Sequence, residues 1–196
     1  MTSVFSAPII TPEVVIRCIS YGRLLILKKK EQKICRDIRR HGQDILRSEL
    51  FQMAGGETHH LRSSVSDHSL NVCITGVRIC HFLQHFGIRM NEKDLIQASL
   101  CHDLGMIGRE DKYETRRTAW RSHAEESAKL AKTVVPEMND AVKSMISTHM
   151  WPASGRRPET KEGAVLTIAD KYASIMDWAG VITKHRYKDK IKQEIL

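Results

Sequence analysis

Apolar residues recur along most of this chain at intervals of three and four, the spacing that gathers them on one face of an α-helix. Between Val65 and Phe86 they fall at Leu70, Cys73, Ile74, Val77, Cys80 and Phe82, and Gly87 follows as a residue suited to closing a helix. Asn91, with Asp94 three residues on, predicts the cap of a helix that runs to about Leu104 and stops before Gly105. Ser122 and Glu125 have the spacing of a capping box, which predicts a helix opening there, with His123 in its first turn, and ending near Pro136. Asn139 caps a further helix to His149 or Met150, stopped by Pro152. Residues 151–161, WPASGRRPETK, read as a loop, and 162–183 as a last long helix. Upstream, Pro12 fits a helix start, and Val14, Val15, Cys18, Leu24, Leu25 and Leu27 carry a helical region over residues 12–50, with Gly22 and Gly42 as interruptions. Ala54-Gly55-Gly56 is a clear break. Strand–helix alternation is missing from the pattern, so the expected fold class is all-α, a helical bundle of about six to eight helices.

Composition narrows the class. A chain of 196 residues suits one compact domain with a short extension. No basic segment leads into an apolar core and a cleavage site, and Leu24–Leu27 is too short to span a bilayer, so the expectation is a cytoplasmic protein with no membrane partner. Cys18, Cys35, Cys73, Cys80 and Cys101 are odd in number and form no CxxC pair; neither disulfides nor a zinc knuckle is expected, and Cys73 and Cys80 read as small buried hydrophobes. The formal charge of +8 comes partly from Lys28-Lys29-Lys30, Arg36, Arg39 and Arg40, which read as a solvated helix face. Aromatic residues do not interleave with these cations, so a nucleic-acid partner is not expected. A basic surface does draw in small phosphorylated molecules.

The candidate chemistry lies in polar residues set where the pattern asks for core. His102-Asp103 ends the mostly apolar run LIQASLCHDLG, and a charged pair there is costly to bury unless it is paired or binds metal. His68 lies in SVSDHSLNV, His123 in WRSHAEESA, His149 in SMISTHM and Asp170 in AVLTIADKYA. Taken singly, each has an ordinary explanation: His123 and His149 could complement helix ends, and Asp170 could pair with Lys171. Together they offer one ligand or ligand pair from each of several helices, as metal sites inside bundles do. Imidazole and carboxylate suit divalent Fe, Mn, Ni, Co or Zn.

The order His, His-Asp, His, His, Asp resembles the HD superfamily of metal-dependent phosphohydrolases, over roughly residues 60–180 and most specifically at HSLNV, SLCHDLGMIG and TIADKYASIMD. The resemblance implies an HD-domain helical bundle whose basic metal set is His68, His102, Asp103 and Asp170, with His102 and Asp103 catalytic. His123 and His149 match the branch with two divalent metal ions, in which Asp103 bridges them and an activated water cleaves a phosphoester or nucleotide. Met106 and Met150 stand where cyclic-dinucleotide phosphodiesterases of the superfamily carry Lys and His, and WPASGRRP replaces their signature loop, so that substrate is not implied. Mixed-valent di-iron oxygenases acting on inositol or phosphonates share the ligand order and form the alternative.

An anionic substrate calls for cations around such a centre. His60, Arg62, Arg121, Arg156 and Lys171 are the candidates, with Arg109, Lys112, Arg116, Arg117 and Arg157 on the same rim. Asp67 could orient His68, and Trp151 reads as an aromatic packed below its loop. The expected organisation is an N-terminal helical extension over 1–55, the catalytic domain over 56–185 and a basic tail over 186–196; homodimerisation is left open.

Overall fold

The computed structural model describes residues 12–60 and 63–178. The chain divides into two compact units, Met1–Lys33 and Ile34–Leu196. The first contributes the beginning of helix α1 (Pro12–Arg47); all side-chain packing described below belongs to the second.

In the described residues α-helices carry the fold. After α1 come α2 (Glu49–Met53), α3 (Val65–Gln84), α4 (Glu92–Cys101), a 3-10 turn at Leu104–Met106, α5 (Arg109–Lys112), α6 (Arg116–Val134), α7 (Asp140–Thr148) and α8 (Lys161–Trp178). The region expected to be broken at Gly22 and Gly42 is one helix as far as Arg47. Gly42 stays helical because α4 lies hard against it: a Cβ there would come 2.5 Å from Leu100 Cδ1.

α3 is the central element. Its buried residues include Leu70, Val72, Cys73, Ile74, Val77 and Cys80, which fall on more than one side of the helix, as a helix surrounded by others requires. It packs against α4 and α8, and α7 packs against α4, α6 and α8. Leu95, Ile96, Leu100, Leu104, Met145, Ile146 and Leu166 fill the space between them and are all but inaccessible. Cys73 and Cys80 are fully buried, as the apolar pattern required.

Local chemistry sets the helix starts. Ser64 Oγ accepts from Asp67 N, Asn91 Oδ1 from Asp94 N and Asn139 Oδ1 from Val142 N, each satisfying a donor that the first turn leaves open. The start of α6 is a correction. Thr115, not Ser122, is its cap, with Oγ1 accepting from Thr118 N, so the helix begins seven residues earlier than the capping-box spacing suggested. His123 therefore lies inside the helix rather than in its first turn. A short antiparallel ribbon, β1 (Thr58–His60) with β2 (Ser63–Ser64), was also not anticipated; strands of three and two residues are too short to leave an alternating pattern. The Trp151–Pro152 peptide is cis. No helix among the described residues is long and apolar enough to cross a membrane.

Candidate metal centre

Six of the residues singled out from sequence converge on one buried point. His68 is in the first turn of α3, His102 caps the end of α4, Asp103 follows it, His123 is on α6, His149 caps the end of α7 and Asp170 is on α8. All six are buried, none more than 5% exposed. Two helix C-termini, those of α4 and α7, therefore aim their carbonyl ends at this point, which favours positive charge there.

Asp103 joins two pairs of imidazoles. Its Oδ2 lies 3.3 Å from His102 Nε2 and 3.9 Å from His68 Nε2; its Oδ1 lies 3.3 Å from His123 Nε2 and 3.6 Å from His149 Nε2. Asp170 Oδ1 sits on the first side, 3.0 Å from His68 Nε2 and 3.8 Å from His102 Nε2. Two ligand triads result, His68–His102–Asp103 and Asp103–His123–His149, each close enough to hold a metal ion.

The outward nitrogens explain why the inward ones are all Nε2. His102 Nδ1 donates to Ser99 O at 2.8 Å, His123 Nδ1 to Ala119 O at 3.1 Å and His149 Nδ1 to Ile146 O at 2.6 Å. Each acceptor is a carbonyl three or four residues earlier on the same helix, so the helix that presents the ligand also fixes its tautomer. His68 Nδ1 instead donates to Asp177 Oδ2 at 3.1 Å. With the Nδ1 positions protonated, lone pairs converge: His123 Nε2 and His149 Nε2 face one another at 3.2 Å, and His102 Nε2 is buried with no hydrogen-bonding partner. Convergent acceptors and an orphaned buried nitrogen are unfavourable unless a cation lies among them, a proton in the metal-free protein or a metal ion in its place. The donor set of imidazoles and carboxylates, without thiolate, fits a divalent transition metal.

The electrostatics carry the same sign. Burial would push the Asp103 carboxyl up, but His102, His123 and His149 hold it well below the usual carboxylate range. Burial likewise works against ionised Asp170, and the facing imidazoles of His102 and His68 outweigh it. Burial disfavours charge on His102, yet Asp103 and Asp170 push its pKa up to about 10. Burial opposes charge on His68 too, and the carboxylates of Asp170 and Asp177 raise its pKa regardless. For His149 burial wins and the pKa is lowered.

The expected rim is placed in part. Lys171 Nζ binds Asp170 Oδ2 at 2.6 Å and approaches His149 O at 3.5 Å, so this cation touches the ligand set. Arg156 pairs with Glu125 of α6 and reaches Ser147 O at 3.4 Å. His60 ends β1, and Arg121 is on α6 two residues before His123. Arg62 lies outside the described residues. Arg157, Lys112 and Arg117 are exposed. Trp151 is not packed below its loop; it is 43% exposed.

Asp177 matters here and was not picked out from sequence, and three residues that were picked out play other parts. Asp177 follows Asp170 by seven positions, two helical turns, and so shares its face; that spacing was a usable signal. Asp67, the neighbour weighed as a partner for His68, lies in the first turn of α3, where its backbone N–H donates to Ser64 Oγ. Glu125 was read as part of a capping box, whereas it pairs with Arg156, 31 residues away. Gly105 was read as a helix stop, but the structure shows a tighter reason: a Cβ there would lie 2.3 Å from His123 O and 2.8 Å from Ser127 N. The turn carrying Asp103 lies directly on the backbone of α6, fastened by Gly105 N to Ser127 Oγ at 2.8 Å.

The family model described as HD domain matches residues 65–175, which hold all six of these residues. No curated protein and no solved structure matches the chain.

Proposed function

The chain belongs to the HD domain family, whose members are generally metal-dependent phosphohydrolases, and from that membership we propose that it cleaves a phosphoester or nucleotide at a centre of two divalent ions. The observation that carries this reading is Asp103, whose two oxygens each face a separate pair of imidazole Nε2 atoms. His68, His102 and Asp170 would hold one ion, His123 and His149 the other, and Asp103 both. Bound there, divalent ions supply polarisation of a phosphoryl oxygen and a water acidic enough to attack near neutral pH.

The protein's own residues do the remaining work. The Nδ1 hydrogen bonds turn the Nε2 atoms of four imidazoles inward and hold the rings in place, so no reorganisation is needed as charge develops. Burial of all six groups keeps bulk water from screening them. Lys171 neutralises the outer oxygen of Asp170 and would meet an anionic substrate there; Arg156, Arg121, His60 and Arg62 are proposed as further substrate-binding residues. The catalytic domain is assigned to residues 56–185.

Phosphate release from phosphomonoesters, phosphodiesters and nucleotides with Mn, Ni, Fe or Co tests the reading. Asp103→Ala is expected to remove metal and turnover while circular dichroism keeps most of the helical signal. Oxygen uptake with mixed-valent iron, in place of phosphate release, would transfer the site to the di-iron oxygenases.

A further inference from the structure

A cavity of about 350 Å³ lies between α6 and the loop that follows α7, outside the six-residue cluster. Trp120 and Ala124 line it from one face of α6, and Met150 lines it from the loop. These residues flank the cluster along the chain: Trp120 is one helical turn before His123, Ala124 follows it, and Met150 follows His149. Glu125, Ser147 and Arg156 form the polar edge. Arg156 pairs with Glu125, and Ser147 Oγ donates to Glu125 Oε2 at 3.4 Å.

The wall is mixed: Trp120, Ala124, Met150 and Ala153 supply its apolar part, and Glu125, Ser147, Ser154 and Arg156 its polar part, so a ligand there needs both a ring and polar groups. Trp120 is 45% exposed although it sits on the helix that carries His123. An indole left half open at the side of a concavity offers a flat surface for another ring. The volume is near the lower end of the range of about 300–1,000 Å³ for such sites, which admits a single or fused ring and excludes a polymer. Arg156 and Glu125 are both exposed, so their pairing adds little to stability and exchanges readily for contacts with a ligand.

We propose that this cavity receives the organic group of the phosphoester, and that this group is a flat aromatic laid against the Trp120 indole, with Arg156 and Glu125 at its polar edge. The proposal rests on the phosphohydrolase reading. It makes Trp120 the residue that sets preference among phosphoesters.

The test uses two non-hydrolysable probes, phenylphosphonate and methylphosphonate, and the metal-loaded protein. The chain has three tryptophans, so Trp151→Phe with Trp178→Phe leaves Trp120 as the only indole reporter. Phenylphosphonate is expected to quench Trp120 emission and to bind about tenfold tighter than methylphosphonate. By calorimetry, Trp120→Ala should bring the two affinities together with metal content unchanged, and Trp120→Phe should restore the preference. Equal affinities before substitution, or a preference that survives Trp120→Ala, overturn the subsite and leave the phosphohydrolase reading standing. Binding of neither compound overturns both.

Discussion

Among the described residues two clusters of histidine and carboxylate stand apart, and their difference shows what makes a metal centre. In one, Asp37 of α1, His81 of α3 and Glu92 of α4 meet, with His81 Nε2 3.2 Å from Asp37 Oδ2 and 3.3 Å from Glu92 Oε2. The residue types are those of the buried centre, and the distances are similar. The surroundings are not. The three side chains are 16–18% exposed, and Gln84 Nε2 donates to the other Glu92 oxygen at 2.6 Å. One nitrogen faces two carboxylates, with no second imidazole beside it. In the buried centre the ratio is reversed. Four imidazoles face two carboxylates, their outer nitrogens are already committed, and His102 Nε2 has no hydrogen-bonding partner. A partly solvated cluster closes on itself; a buried one with surplus lone pairs calls for a cation.

The contrast breaks most severely at Gly105. Gly105→Ala drives a methyl group into the backbone of α6, where neither His123 O nor Ser127 N can give way cheaply. A loss of about 1–3 kcal/mol or more in unfolding free energy is expected from overpacking of this kind, with metal affinity falling as Asp103 and His123 move apart. Thermal melts with and without Mn check both parts. An unchanged melt would show that α6 is not held against this turn.

Asp177→Asn is the next largest. The amide can still meet His68 Nδ1 but no longer offers a full charge, so binding of the ion on the His68 side should weaken about 10–100-fold, while the His123–His149 side is spared. Two-step metal titration separates the sides; equal weakening of both would tell against Asp177 acting through His68.

Metal binding should also release protons. In the metal-free protein Asp103 and Asp170 push the His102 pKa up to about 10. A cation replaces that proton, so apparent affinity should rise with pH up to that value and level off beyond it. Calorimetry in buffers of different ionisation enthalpy measures the release; none at pH 7 would contradict a protonated His102.

The smallest effect belongs to the second cluster. His81→Ala is expected to leave metal stoichiometry unchanged and to cost roughly 1 kcal/mol or less, as a partly screened ion pair does. Loss of a bound metal equivalent would erase the distinction between the clusters.

Much of this was legible in the sequence because the centre's residues interrupt apolar runs. His102-Asp103 and Asp170 stand out from their flanks, and the Asn91 and Asn139 caps fixed where α4 and α7 begin, hence where His102 and His149 end them. The start of α6 was misplaced because Ser122 and Glu125 match a capping box by spacing alone, while Thr115 carries the cap. Gly105 shows the deeper limit. A glycine that ends a helix and a glycine that lets two backbones touch are the same letter, and only the packing of α6 against the turn tells them apart. The Arg156–Glu125 pair is hidden for a similar reason, since a loop must first bring them together.

The central claim is that one carboxylate serves two cations. Anomalous diffraction from crystals grown with Mn measures this directly. The account predicts two peaks about 3.5–4 Å apart, with one Asp103 oxygen on each. A single peak, or two peaks with Asp103 on neither, would contradict it.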